Sequence, residues 1–141
     1  MAIWFAPFTV EDLNRSAVVG LATHLDMRFT GAGEDWLAAS MPVDARTHQP
    51  YGLLHGGASL SLAETVGSVA ASLCLDPARF RCVGQEINGN HVRGVTSGRV
   101  TGTARPWHLG GRSQVWHIEI RDEAAKLVCV SRLTVAVIAA G

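Results

Sequence analysis

One stretch constrains this chain more than any other. Residues 56–75, GGASLSLAETVGSVAASLCL, open on a glycine pair and run without proline until Asp76-Pro77. That is about five turns of α-helix, ended where proline can neither donate a hydrogen bond nor let its predecessor stay helical. Small and apolar side chains fill it, and Glu64 is its one charge. A helix on a water-facing surface carries a charged stripe. This one has none, so the fold must cover it, and a sheet wrapped around a central helix would do so.

The flanking segments have strand character. Leu25, Met27 and Phe29 alternate with Asp26 and Arg28, the period of a half-buried strand, and residues 36–43 follow after a turn at Gly31 and Gly33. Residues 44–54 contain Pro50 and Gly52 and read as a loop carrying His48 and Gln49. After the helix, residues 99–104 form a short glycine-punctuated strand, and Trp116, Ile118 and Ile120 alternate with His117 and Glu119. Residues 128–138 are long and β-branched, with a hairpin turn at 122–125 before them. Near the start, Thr9 caps a short helix running towards Asn14, with Glu11 and Asp12 in its first turn. One long helix between early strands and a terminal run of strands predicts an α+β fold with an antiparallel sheet. At 141 residues a single domain is expected.

Charge narrows the function classes. Twelve basic and twelve acidic residues cancel, and no Lys/Arg block stands out. Nucleic acid and membrane surfaces are bound through a concentrated positive field, so neither partner is expected. Only 17% of residues are charged, which fits a compact core rich in alanine and glycine and equally fits partial cover by partner subunits. Cys74, Cys82 and Cys129 form no C-x-x-C pair and read as apolar thiols in a reducing compartment. No Lys or Arg precedes Arg15, so a signal-peptide n-region is missing, and no apolar run reaches the ~18 residues of a membrane span. A cytoplasmic location is expected.

Glu64 does not suit its surroundings. Ala63, Thr65 and Val66 offer no opposite charge, and burying an unpaired carboxylate costs on the order of several kcal/mol. Two readings stay open. The side chain reaches solvent or an arginine such as Arg93 or Arg105, or it is held in an apolar pocket as a base or nucleophile. Ser68, at i+4, shares its helix face. His55-Gly56-Gly57 opens the helix, where a histidine serves as a cap or as part of a site. Free N–H groups at a helix N-terminus can stabilise an oxyanion, and glycine admits an acyl group close to that backbone.

GLLHGGASLSLAETVGSVA resembles the signature of hotdog-fold acyl-CoA thioesterases, in which HGG opens the central helix and Glu or Asp follows within it. MPVDARTHQPYGLLHGGAS, VGQEINGNHVRG, PWHLGGR and the terminal SRLTVAVI extend the resemblance from about residue 26 to residue 138. They are similar to the branch holding bacterial 1,4-dihydroxy-2-naphthoyl-CoA hydrolases and the proofreading thioesterases of enterobactin synthesis. The resemblance implies a hotdog fold, an antiparallel sheet wrapped around one long central helix, as a single thioesterase domain over residues 1–141. Matched by position, it implies Glu64 as catalytic carboxylate and the Gly56 N–H as holder of the thioester oxygen, with His55 beside it. It implies Gln49 near the thioester and Ser68 as a positioner of water. It also implies that Gly84, the block His91, Val92, Arg93 and Gly94, and the block His108, Leu109, Gly110, Gly111, Arg112 and Ser113 line the coenzyme A and acyl sites. Arg93 and Arg112 suit phosphates, and His91 or His108 can donate hydrogen bonds, although an ordinary surface role for each arginine stays open. Three departures stand out: Trp107 in place of a smaller aliphatic on the coenzyme A wall, a longer stretch at 76–82, and Gly89 in the acyl-site strand.

The implied reaction is hydrolysis of an acyl-CoA thioester, aromatic rather than long-chain, to a carboxylic acid and free coenzyme A. Glu64 attacks the carbonyl to form a mixed anhydride, or deprotonates a water that attacks it. Thiolate leaves readily, so no metal or redox cofactor is expected, and coenzyme A enters as part of the substrate. Two alternatives remain: a hydratase or dehydratase of acyl thioesters on the same fold, and a non-catalytic acyl-CoA-binding module. Gln49, His55 and Glu64 together favour the thioesterase. The resemblance further implies a homotetramer, a dimer of dimers with sites at the dimer interface completed by Gln49 or the arginine blocks of a second chain, and the long terminal strand offers an edge for pairing.

Overall fold

The computed structural model describes residues 1–16 and 19–141. In chain order the elements are α1 (Val10–Ser16), α2 (Leu21–His24), β1 (Arg28–Ala32), β2 (Leu37–Pro42), α3 (Gly56–Leu73), β3 (Phe80–His91), β4 (Arg99–Leu109), β5 (Ser113–Arg121) and β6 (Leu127–Ala139). The strands form one antiparallel sheet in the order β1-β2-β4-β5-β6-β3, with α3 packed across it.

The core follows from two periodicities. On α3 the buried residues are Ser59, Leu62, Ala63, Val66, Gly67, Ala70 and Ala71, a stripe at three- and four-residue spacing. On β5, Gln114, Trp116, Ile118 and Ile120 alternate inward, and Leu133 and Val135 of β6 join them against the helix. The opposite side of α3 is less covered: Ser61, Glu64 and Ser68 are half-buried and Ser72 is exposed. Within one chain, therefore, the sheet backs the helix without enclosing it.

Several boundaries differ from the sequence expectation, each for a physical reason. Leu25 and Met27 pack against the core without being strand: Leu25 caps α2, and Asp26 sits at φ +49. Arg99 holds that turn, its Nη2 donating to the Asp26 carbonyl at 2.8 Å and its Nη1 pairing with the carboxylate at 3.2 Å. Helix α3 ends at Leu73, two residues early, where Leu75 N–H turns back to the Ser72 carbonyl. Within the stretch 76–82, residues 76–79 make a tight turn, closed by Asp76 accepting from Ala78, Arg79 and Phe80, and residues 80–82 already belong to β3. Strand β4 continues five residues past Ala104. Pro106 lies beyond the last β2 partner, so its missing N–H forfeits no bond there, and Trp107 is the extra residue of a bulge opposite β5.

The two sheet edges are unlike. The expected edge, β6, is internal, paired with β5 on one side and β3 on the other. The true edges are β1 and β3. At β1 the edge is plugged: the Asn14 side chain of α1 donates to the Phe29 carbonyl at 2.9 Å and accepts from the Phe29 N–H at 2.8 Å. Strand β3, twelve residues long, has β6 alone as neighbour. Among the described residues no helix is long and apolar enough to cross a membrane.

Asn14→Ala leaves both polar groups of Phe29 unpaired at a largely buried position. It is expected to cost about 1–3 kcal/mol, read in urea unfolding as a lower midpoint at unchanged slope.

Candidate active site

Strand β3 runs back along α3, and a groove between them can be followed by four contacts. His91 Nε2 lies 2.6 Å from where a Cβ on Gly56 would stand, and Leu60 Cδ2 lies 2.6 Å from the Cβ position of Gly89. A Cβ on Gly84 would collide with Glu64 Oε1. Further along, Cys82 Sγ lies 3.6 Å from the Ser68 carbonyl and 3.1 Å from Ser72 Oγ. Gly84 and Gly89 therefore have a packing reason: each leaves room for a helix side chain to lie against the strand backbone. The Gly89 departure is matched by Leu60 filling the space.

Glu64 has no ion-pair or hydrogen-bond partner among the described residues. Arg105, one of its candidate partners, is engaged with Asp35 at 2.7 Å, and Arg93 pairs with no carboxylate among the described residues. Burial alone pushes the Glu64 carboxyl above the usual glutamate value. Ser68, one turn along, makes no hydrogen bond to the carboxylate. Its hydroxyl has no partner among the described residues, which leaves it able to hold a water.

The other end of α3 is built around His55. Its N–H donates to the Thr47 carbonyl at 2.7 Å, and Thr47, 1% exposed, is itself tied to the Pro42 carbonyl at 2.8 Å. The His55 ring caps the helix, Nδ1 accepting from Gly57 N–H at 2.8 Å. An accepting Nδ1 puts the proton of the neutral ring on Nε2, as a free donor. The Gly56 N–H finds no acceptor among the described residues, as expected at the first turn of a helix. Gln49 sits in the preceding loop, closed by the His48–Leu54 bridge, and its Oε1 accepts from Tyr51 N–H.

The remaining predicted residues fall into two places. His91 to Gly94 cross the α3 N-terminus: Gly94 lies against Leu53, and Val92 and Arg93 donate to the Val128 carbonyl at 2.9 and 3.3 Å. His108 to Ser113 make the β4–β5 hairpin, closed by Gly110 N–H to the Ser113 carbonyl at 2.9 Å. Trp107 stacks on His117 at 4.8 Å, on the sheet face away from α3. The structure thus brings Glu64, Ser68 and Gly84 together, and His55, Gly56 and His91 together. It does not bring the two groups to one point. Eight residues separate Gly56 from Glu64, about 12 Å along a helix, whereas an oxyanion donor must lie about 3 Å from the reacting oxygen.

Sequence reasoning passed over Cys82, which closes the groove beside Ser68, because a single thiol in a strand carries no pattern. The same holds for the part of Gly84 that matters, the space it leaves.

The model of the Thioesterase superfamily matches residues 51–129. The chain belongs to that family. It is 53% identical to the 1,4-dihydroxy-2-naphthoyl-CoA hydrolase of Escherichia coli, over 96% of this chain and 99% of that one. It is 50% identical to the proofreading thioesterase EntH of Cronobacter turicensis, over 96% and 98%. A thioesterase crystal structure from Haemophilus influenzae superposes with a TM-score of 0.94 at 52% identity, covering 97% of this chain and 95% of that one. The fold is the hotdog fold, and the chain is a thioester hydrolase, as the resemblance implied.

For a thioesterase of this build Glu64 carries a stability cost with a definite sign. The folded protein binds a proton at Glu64 more readily than the unfolded chain does. Its penalty is therefore absent below the ordinary glutamate pKa and grows as pH rises through the raised folded value. Glu64→Gln should melt above wild type at about pH 8, with the gap closing towards about pH 4. Differential scanning fluorimetry across that range checks it.

Proposed function

We propose that this thioesterase hydrolyses aromatic acyl-CoA esters at a site shared by two copies of the chain, with Glu64 from one and the Gly56 N–H from the other. The observation that carries the reading is the length of α3 between those two groups, which no single carbonyl can span. The sheet edges supply the arrangement. With β1 plugged by Asn14, pairing falls to β3. Gly84 marks Glu64 on β3 and His91 marks Gly56. An antiparallel pairing of β3 with its twofold copy, centred near Ile87 and Asn88, brings the partner's Gly56 to Glu64. A second doubling to a homotetramer would use the outer sheet face, where Trp107 remains 63% exposed.

In this site the thioester carbonyl accepts from the partner's Gly56 N–H, supported by the positive end of the helix dipole. Glu64 attacks the carbonyl carbon and coenzyme A leaves as thiolate, taking a proton from solvent. Water then opens the anhydride, regenerating Glu64 and releasing the acid. In the alternative route Glu64 takes the proton of a water held by Ser68, and that water attacks instead. Both routes balance with thioester, water and protein groups alone, so neither calls for a metal or redox cofactor. Arg93 and Arg112 supply charge for the phosphates of coenzyme A. The aromatic acyl group is inferred from the naphthoyl ester in the name of the Escherichia coli relative. Hydrolysis is favoured over hydration or simple binding because the relatives are named as hydrolases and thioesterases. The free thiols Cys74, Cys82 and Cys129 suit the reducing cytoplasm, where we place the protein.

Thiol release from benzoyl-CoA is the direct assay. Glu64→Gln is expected to lower turnover by roughly 10²- to 10⁴-fold with the fold intact. Near-wild-type turnover would remove Glu64 from the mechanism, and a clear preference for palmitoyl-CoA would overturn the aromatic assignment.

The shared site has its own test. Gly56→Pro deletes the N–H at the helix position that best tolerates proline, with the exposed His91 ring free to turn aside. Mixed by co-refolding, the inactive Glu64→Gln and Gly56→Pro variants should recover roughly a quarter of wild-type activity, since half the dimers are hybrids with one intact site. No recovery, or an active monomer by light scattering, refutes the arrangement.

A further inference from the structure

The loop 43–55, between β2 and α3, has one buried polar side chain among the described residues, Thr47. Its hydroxyl donates to the Pro42 carbonyl at 2.8 Å and accepts from the Asp44 N–H at 3.1 Å. Its own N–H donates to the Asp44 carbonyl at 2.9 Å. The polar group that remains, the Thr47 carbonyl, receives the His55 N–H at 2.7 Å.

Around this neck the loop is a closed hairpin. Gln49 N–H donates to the Leu53 carbonyl at 2.8 Å and Gly52 N–H to the Gln49 carbonyl at 3.0 Å, beside the His48–Leu54 bridge. The segment before β4 fastens it from outside. Gly98 accepts from Val43 at 2.8 Å, Val95 accepts from Leu54 at 2.7 Å, and His48 Nε2 lies 3.0 Å from the Thr96 carbonyl. Among these bonds, only the one from His55 to Thr47 engages the residue that caps α3.

His55 is extended, at φ −67 and ψ 130, and its Nδ1 accepts from Gly57 N–H at 2.8 Å. With Gly57 taken by the cap, the Gly56 N–H is the donor left for a ligand. With Nδ1 accepting, the proton of the neutral ring stays on Nε2. Both donors at this end of α3 thus depend on the pose of one residue, and Thr47 holds that pose.

Resting on the thioesterase reading above, we infer that Thr47 is a positioning residue for the hydrolysis. Through the His55 backbone it fixes the direction of the Gly56 N–H and the tautomer of the His55 ring, without touching substrate. An N–H aimed at a developing oxyanion acts chiefly in the transition state, so loosening it lowers kcat and leaves KM nearly alone. Valine has nearly the shape of threonine but leaves the Pro42 carbonyl and the Asp44 N–H unpaired in a buried place, which frees the turn and the carbonyl facing His55. Serine keeps the hydroxyl and both bonds.

The experiment compares wild type, Thr47→Val and Thr47→Ser by thiol release from benzoyl-CoA and by nitrogen-15 NMR of the histidine rings in alkaline buffer. Thr47→Val should lower kcat roughly 10- to 100-fold with KM within about threefold. Its His55 signals should move from the Nε2-protonated pattern towards a mixture of tautomers. Thr47→Ser should restore both readouts. Wild-type kcat in a folded Thr47→Val protein overturns the inference. So does a lowered kcat with the His55 signals unmoved, which is the result of a stability defect alone. Should Thr47→Val not fold, wild type decides by amide hydrogen exchange. His55 should exchange slowly and Gly56 fast, and fast exchange at His55 overturns the link. Absence of thiol release from wild type overturns the thioesterase reading, while the ring signals and amide exchange still decide whether Thr47 fixes His55.

Discussion

A carboxylate with no counter-charge is held half out of water, and the elements around it are arranged to keep it there. Glu64 gains no arginine and no hydrogen bond from the described chain, so its desolvation stands as an uncompensated cost. The fold carries that cost because the opposite stripe of α3, from Ser59 to Ala71, is buried in one core cluster with Trp116, Ile118 and Leu133. Burial of large side chains there contributes about 1.5–3 kcal/mol each. A desolvated carboxylate is both a stronger base and a stronger nucleophile, which is what either role proposed for Glu64 requires.

The helix also acts as a ruler. Its N-terminus offers an unused N–H at Gly56, held in place by the His55 cap, and its middle offers the carboxylate. Rise per residue keeps the two apart in one chain, which is the observation behind the proposal that they meet across two copies. Sheet edges then decide how copies meet. Asn14 closes one edge with two hydrogen bonds, as proteins commonly block an edge that must not pair. The other edge carries the strand that touches both Glu64 and Gly56.

Much of this was legible in the residues. The glycine pair, the small side chains and Asp76-Pro77 bounded α3 to within two residues, and Thr9 caps α1 as its acidic first turn suggested. The alternation of Trp116, Ile118 and Ile120 marked β5 because one face of that strand is buried and the other is not. Alternation misled at Leu25 and Met27, where apolar side chains meet the core from a helix end and a turn. At β4 it stopped early, since Pro106 and the bulge at Trp107 conceal a strand that continues. Glu64 was legible from its isolation. Gly84 was not legible in the same sense, because its contribution is a vacancy filled by a side chain twenty residues earlier.

Strand β3 had no bounds in the sequence, and the reason bears on function. Its residues answer to three different demands: β6 on one side, the groove against α3, and a free edge. Gly84 and Gly89 satisfy the groove, Cys82 meets Ser72 and the Ser68 carbonyl at one end, and His91 lies against Gly56 at the other. Exposure alternates from Phe80 to Val83 and again from Glu86 to Asn90, with the phase reversed by the bulge at Gln85. No single period therefore runs through the strand. The strand that local pattern describes worst is therefore the one that lies along the face of α3 carrying Glu64 and has a free edge in the sheet, which is where local consistency is expected to give way to function.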